Sequence, residues 1–228
     1  DWVDAAQAFD RYGDATPLAE LLRDSDADLE DLAQRAEYIS RVLQLNMLSN
    51  VEANTGNLLS HLRNVPGNSP LPLQLIEPLL RRLPEKLQDR PAWETTLITA
   101  REHWDSYRAA PAVLATWEAL IERLAVAYGR DAETYEHHKA LSSIATATDE
   151  KKWKAGPNQF HEFPSRASEL KTFRNAIAHS RQGQKEDLQP NVVYDRFPDL
   201  LEYFEATLSE PDLDNLPEAI SFSKYLGR

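Results

Sequence analysis

The sequence predicts an all-α protein, a helical bundle with long helices in its N-terminal part. Apolar residues recur at three- and four-residue spacing over most of the 228 residues, which is the pattern of helices with one buried face. Alternating apolar and polar runs, the pattern of half-buried strands, are nearly absent. Ala, Leu, Glu and Arg dominate the composition, and all four favour helices.

The first residues predict two short helices separated by a turn. Trp2, Val3, Ala6 and Phe9 lie at helical spacing. Gly13 and Asp14 then interrupt the pattern, and Pro17 is suited to the first turn of a helix that continues to Arg23.

Two longer helices follow. The residues from Asp26 to Met47 carry one broad apolar face and predict a helix of five or six turns. A second helix is expected from Val51 to Val65, although Gly56 weakens it. Residues 64–72 contain three Pro and one Gly and predict a loop or linker.

The middle of the chain predicts four more helical segments. Residues 73–87 contain Pro78 and Pro84, so we expect a kink or two short helices there. Pro91 at a first helical position predicts a helix through Arg108. The next helices are expected from Pro111 to Tyr128, closed by Gly129, and over residues 131–148.

The last third predicts a loop and then further helices. Residues 149–164 combine a charged run with Gly and Pro and are expected to form the loop. Ser165 or Ser168 is expected to cap the next helix, and Gly183 to end it. A helix over residues 192–208 is expected to be interrupted at Pro198, and a short helix over residues 216–226 to follow it.

Composition narrows the possible functions. The chain has no Cys, which excludes disulfides, thiolate zinc sites and Cys nucleophiles. Its hydropathy predicts no membrane span and no signal peptide, so we expect a cytoplasmic protein. The net charge of −12 argues against a broad basic surface for nucleic acid, but it leaves room for a small basic cleft.

One stretch brings together an Arg, an amide and an imidazole. In a helix, Asn175 and His179 would share a face, and Arg174 would lie about 140° around the axis from His179. Ala178 leaves room on this face for a phosphate or a second helix. The apolar Leu170, Phe173, Ala176 and Ile177 collect on the opposite side.

The other candidate sites are weaker. His137 and His138 are adjacent, so in a helix they point about 100° apart and do not converge on one ion. His61 and His103 have no ligands near them in the sequence. Ser168 and Lys171 have the S-x-x-K spacing without its partner motifs, and no glycine-rich phosphate loop is present. We therefore expect no metal and no cofactor.

The segment from Arg174 to His179 resembles the RxxxxH motif of HEPN ribonucleases, including the polar residue after the Arg. The resemblance implies a small all-α unit that forms a homodimer, in which two motifs face each other in one RNA-cleaving site. It implies His179 as general acid or base and Arg174 as the residue that binds the scissile phosphate. Asn175 would orient His179 or a phosphate oxygen.

Residues 2–22, with the turn from Phe9 to Asp14, and the long helices after them are similar to the region that follows the sensor domain in CARF-HEPN effectors of type III CRISPR systems. The resemblance implies one HEPN region over residues 1–228, with N-terminal helices at 1–63, a loop at 64–72 and the motif-bearing bundle at 73–228. Because the chain opens on Asp1, we expect a piece of a longer protein. Cyclic oligoadenylate would act only through a sensor domain that this sequence lacks.

The sequence thus predicts a metal-independent endoribonuclease that cuts single-stranded RNA in antiviral defence. Two other classes remain open. One is a catalytically silent HEPN module for binding or dimerisation, such as part of a toxin–antitoxin system. The other is a helical interaction domain without any role in RNA, which would suit the acidic charge.

Overall fold

The computed structural model describes residues 2–23, 27–45, 51–64, 71–147, 160–179, 189–216 and 220–226. All regular secondary structure in these ranges is helical, so the predicted all-α class is confirmed. No helix among them is both long enough and apolar enough to cross a membrane.

The described ranges contain α-helices that we number in chain order. They are α1 (Trp2–Tyr12), α2 (Thr16–Leu22), α3 (Ala27–Gln44), α4 (Val51–Asn64), α5 (Leu71–Leu87), α6 (Ala92–Asp105), α7 (Ala109–Tyr128), α8 (Tyr135–Ala145), α9 (Phe163–Ala178) and α10 (Pro190–Leu208). Two 3₁₀ helices follow, at Pro211–Asn215 and Phe222–Lys224.

The chain divides into two compact units, residues 1–111 and 112–228. In the first unit, α2 packs on α3, α3 on α4, and α4 on α5. Their apolar faces form one core, which includes the fully buried Leu18, Leu32, Leu58 and Leu80. The predicted break between α1 and α2 is confirmed, since Gly13 has a φ of +61° there.

In the second unit, α9 packs against α8 and α10. Trp117, Phe163, Phe197 and Phe204 are its largest fully buried side chains. Gly129 has a φ of +57° directly after α7, which confirms it as the residue that ends this helix. The organisation of residues 1–228 as a single HEPN region stays a prediction.

Two helices continue through internal proline residues. Helix α5 runs from Leu71 to Leu87 with Pro78 and Pro84 inside it, so the alternative of two short helices is wrong. Helix α10 likewise continues through Pro198. A proline removes one backbone hydrogen bond, and burial of the apolar side chains around it can offset that loss.

Several predicted boundaries were also wrong. Pro91 caps α6 instead of occupying its first turn, and the helix ends at Asp105. Helix α8 starts at Tyr135, not near residue 131, because Asp131 forms a capped turn. Its carboxylate accepts hydrogen bonds from the Glu133 N–H at 2.9 Å and the Thr134 hydroxyl at 2.8 Å.

Some predictions lie partly outside the described residues. Of the predicted loop at 64–72, Asn64 ends α4 and residues 71 and 72 belong to α5, while the rest is outside. Gly183 and residues 148–159 are also outside. Of the predicted helix at 216–226, Leu216 is helical, but the described residues 220–226 form a bend, turns and a 3₁₀ helix.

Candidate functional site

The motif lies on α9, which is held in the second unit by its apolar face. Phe163, Ala167, Leu170 and Phe173 are buried, and the Phe163 ring meets the Phe204 ring edge-on at 5.9 Å. The predicted apolar back is therefore confirmed for Leu170 and Phe173. Ala176 and Ile177 lie on the same side but are only half-buried, since the helix rises out of the core toward its end.

The start of α9 differs from the prediction. The helix begins at Phe163, inside the predicted loop, with Glu162 as its cap and Pro164 in its first turn. Ser165 and Ser168 lie within the helix, so neither is its cap. Proline is favoured in the first turn because its missing N–H has no partner there in any case.

Two ion pairs hold the described carboxylates of this helix region. Glu169 pairs with Arg196 of α10 at 2.6 Å, and Glu162 pairs with Arg166 at 3.1 Å. Arg166 also lies over the Tyr203 ring, at 5.7 Å from its centre. These carboxylates therefore pair with Arg196 and Arg166, and not with Arg174 or His179.

His179 is the residue directly after α9, and it keeps the helical register. Its N–H donates to the Asn175 carbonyl at 3.1 Å, which confirms the predicted i, i+4 relation to Asn175. The side chains of Ala178 and His179 are exposed. An exposed imidazole can exchange protons with water and with a bound substrate.

Arg174 and Asn175 form the neighbouring part of this face. The Arg174 Nη1 donates to the Asn175 Oδ1 at 3.2 Å. The Arg174 Nε is buried and has no hydrogen-bond acceptor among the residues that the structure describes. Arg174 therefore has unused donor capacity, and the amide that accepts from Nη1 fixes the direction of its guanidinium.

Lys171 lies one turn before Asn175 and adds a second cation. Its Nζ lies over the Trp117 ring, at 5.8 Å from the ring centre. Burial lowers the pKa of Lys171, and the charge of Arg174 lowers it further. A cation held beside another cation is stabilised when an anion binds between them.

The position of this face at the end of a helix sets its electrostatics. A helix C-terminus carries partial negative charge and its last carbonyls lack intrahelical partners. The backbone alone therefore disfavours a phosphate here. Lys171, Arg174 and a protonated His179 would have to supply the attraction, and the further basic residues Arg181, Lys151, Lys152 and Lys154 lie outside the described residues.

Three other histidines of the described chain contact acidic side chains or backbone carbonyls. His138 lies 3.2 Å from the Glu118 carboxylate, and His137 bonds the Asp131 carbonyl, so the two do not converge. His61 lies 2.7 Å from Asp31, a partner that the sequence did not reveal. Within the described ranges no three His, Asp or Glu side chains are grouped as metal ligands.

The comparisons with known proteins bear on the first unit. Residues 1–91 match a family model described as CRISPR-associated protein MJ1674, second domain. The match supports a CRISPR-associated protein. It covers α1 to α5 and stops before α9, so it does not include the RxxxxH residues. No curated protein and no solved structure matches the chain.

Proposed function

We propose that the chain is a metal-independent endoribonuclease that cleaves single-stranded RNA as a homodimer in a CRISPR defence system. The observation that carries the proposal is the polar face at the end of α9, where Arg174, Asn175 and the exposed His179 lie in one helical register. The match of residues 1–91 to a CRISPR-associated family supports the cellular setting.

The reaction requires one proton to leave the substrate and one to return. The ribose 2′-oxygen attacks the adjacent phosphorus as its proton passes to a base, and the departing 5′-oxygen takes a proton from an acid. The products are a 2′,3′-cyclic phosphate and a free 5′-hydroxyl. An imidazole can serve in either role, so a homodimer with two copies of His179 supplies both.

Arg174 would stabilise the charge that develops on the phosphorus. A guanidinium matches phosphate oxygens with its forked donors, and its electrostatic stabilisation is strongest for the transition state. Asn175 already accepts a hydrogen bond from Arg174, so it would hold the guanidinium in place. The nucleophile is the substrate's own hydroxyl, and the first step therefore needs no metal-activated water.

Substitution of the motif residues tests this function. We expect His179→Ala and Arg174→Ala each to reduce cleavage of single-stranded RNA by about 10²- to 10³-fold, the usual cost of removing a preorganised catalytic group. His161→Ala and Arg166→Ala are matched controls, because His161 is exposed and Arg166 lies on the same helix with its own carboxylate partner. Full activity of His179→Ala would overturn the proposal.

The net charge of −12 argues against a broad surface for nucleic acid and leaves a second candidate open, a catalytically silent HEPN module for binding or dimerisation. The ribonuclease predicts a homodimer in sedimentation at micromolar concentration, whereas a monomer would favour the silent module. Only the ribonuclease predicts RNA cleavage that disappears with His179. A dimer whose wild-type form leaves RNA intact would support the silent module.

A further inference from the structure

The first unit contains a small, mainly apolar cleft that also has a group of charged and polar side chains in its lining. Its volume is about 40 Å³, and its polar lining comes from Asp10, Arg82, Glu102, Ser106 and Arg108, beside Gly13. A single buried water needs about 10–15 Å³. The cleft therefore has room for a few waters or for part of a small oxyanion.

The acidic groups of this cleft are already paired. Glu102 is only 8% exposed, and its two oxygens lie 2.5 Å from the Lys86 ammonium and 3.3 Å from the Arg82 guanidinium. Asp10 lies 3.2 Å from Arg82. Two carboxylates thus balance Lys86 and Arg82, and the charge of Arg108 remains in excess.

Arg108 has buried donors that no described residue accepts from. Its Nε and Nη1 are inaccessible to solvent and make no hydrogen bond among the described residues. Burial lowers the pKa of Arg108, and the charge of Glu102 acts in the opposite direction. A buried charge without a partner is costly, so an anion in the cleft that Arg108 lines would stabilise the guanidinium.

Gly13 makes the position of Arg108 possible. A Cβ on Gly13 would lie 3.0 Å from the Arg108 Nη2, so a side chain would push into the guanidinium. Gly13 also has a φ of +61°, which glycine adopts without strain. The turn between α1 and α2 therefore brings backbone close to one edge of the guanidinium.

Arg123 of the second unit shows what a purely structural buried arginine looks like in this protein. Its Nε donates to the Leu208 carbonyl at 2.9 Å, and its Nη1 pairs with Asp214 at 2.7 Å. Its Nη2 donates to the Glu210 carbonyl at 3.4 Å. All three nitrogens are satisfied, and Arg108 differs from Arg123 in this respect.

We propose that this cleft binds a phosphate group, with Arg108 as the principal contact and Arg82 as a second donor at the mouth. Arginine donors match phosphate oxygens in number and geometry. Arg82 is about half exposed, so it can turn toward a ligand while Lys86 keeps Glu102 paired. The phosphate is either inorganic phosphate or the terminal group of a nucleoside monophosphate.

Calorimetric titration of the full chain at constant ionic strength tests this proposal. Inorganic phosphate and adenosine 5′-monophosphate are the two probes. We expect wild-type protein to bind at least one of them, and Arg108→Gln to bind it about tenfold more weakly or worse, as loss of a hydrogen bond to a charged group predicts. Tighter binding of the monophosphate than of phosphate would identify a nucleotide as the source, and the reverse would identify free phosphate.

Matched variants keep the test decisive. Arg90→Gln removes an exposed arginine of the same unit that pairs with Glu94, and it should bind as wild type does. Arg82→Gln should weaken binding several-fold and serves if Arg108→Gln does not fold. Absence of binding by wild type, or equal binding by wild type and by the folded cleft variants, would overturn the proposal. Neither result depends on RNA cleavage at His179.

Discussion

His103 in the first unit and His179 in the second occupy opposite environments. His103 is fully buried on α6, neither of its ring nitrogens has a hydrogen-bond partner among the described residues, and burial lowers its pKa to about 3. His179 is exposed after the last residue of α9. The first is held neutral inside a core, and only the second can meet a substrate.

Arg108 and Arg174, the arginines that follow His103 and precede His179 in the sequence, also differ in their surroundings. Arg108 is half-buried and lines the cleft of the first unit, whereas Arg174 lies on a helix face that also carries a cationic Lys171 and an amide. Both have donors without acceptors. We therefore expect both arginines to attract an anion, and the exposure of the nearby histidine decides whether proton transfer can accompany binding.

The largest expected effect concerns the pH dependence of stability. Because folding lowers the pKa of His103 from 6.5 to about 3, the unfolded state binds the additional proton between these values. The free energy of unfolding should therefore fall as pH decreases from about 6.5, by about 1.4 kcal/mol per pH unit at most. Above pH 6.5 this contribution is fully present.

Urea unfolding between pH 7 and pH 4.5 measures this slope. His103→Leu replaces the imidazole by an apolar side chain and should flatten the profile in this range. His161→Gln, at an exposed position, should leave the profile unchanged. An unaltered slope in His103→Leu would show that His103 is not the group responsible.

A series of three glycines sharpens the account of the Arg108 cleft. Gly13→Ala should destabilise the protein most, because it combines a left-handed backbone with a contact on Arg108. Gly129→Ala has the same backbone cost, about 1–2 kcal/mol, but has open space around the new methyl. Gly56→Ala lies within α4 in open space and should stabilise by about 0.5–1 kcal/mol.

Thermal and urea unfolding of the three variants, each compared with wild type, give the order directly. The expected order of stability is Gly56→Ala above wild type, then Gly129→Ala, then Gly13→Ala. If Gly13→Ala were no less stable than Gly129→Ala, the contact between a side chain at position 13 and the Arg108 guanidinium would not contribute to the free energy of unfolding.

The smallest expected effect concerns Lys171. Lys171→Gln should weaken binding of single-stranded RNA a few-fold and leave the rate of the bound complex nearly unchanged. Loss of one phosphate contact should also reduce the slope of log affinity against log salt by about 0.7. Lys139→Gln removes an exposed lysine of α8 and should change neither quantity. Equal slopes for wild type and Lys171→Gln would remove Lys171 from the RNA contact.

Much of the fold was predictable because its signals are local. Gly13 and Gly129 ended helices where the sequence placed them, and the apolar face of α3 predicted a long helix. The starts of α8 and α9 were not predictable from periodicity. The Asp131 side chain forms a turn before α8, and α9 begins at Phe163 within a stretch that resembled a loop.

The two candidate sites also differ in whether local sequence predicts them. Arg174, Asn175 and His179 lie within six residues, so a helical register was enough to place Asn175 and His179 on one face, with Arg174 next to Asn175. Gly13, Arg82 and Arg108 are far apart in sequence and meet only through packing of the first unit. Neither the buried state of His103 nor the excess charge of Arg108 has a signal in the sequence.

The chemistry of the RNA product in the presence of EDTA tests metal-independent cleavage at His179 most directly. Wild-type protein should cut single-stranded RNA under these conditions and leave a 2′,3′-cyclic phosphate, while DNA of the same sequence, which lacks the 2′-hydroxyl, should remain intact. His161→Ala should give the same product and His179→Ala should give none. Cleavage that requires added Mg²⁺, or the cyclic product from His179→Ala at the wild-type rate, would contradict the account.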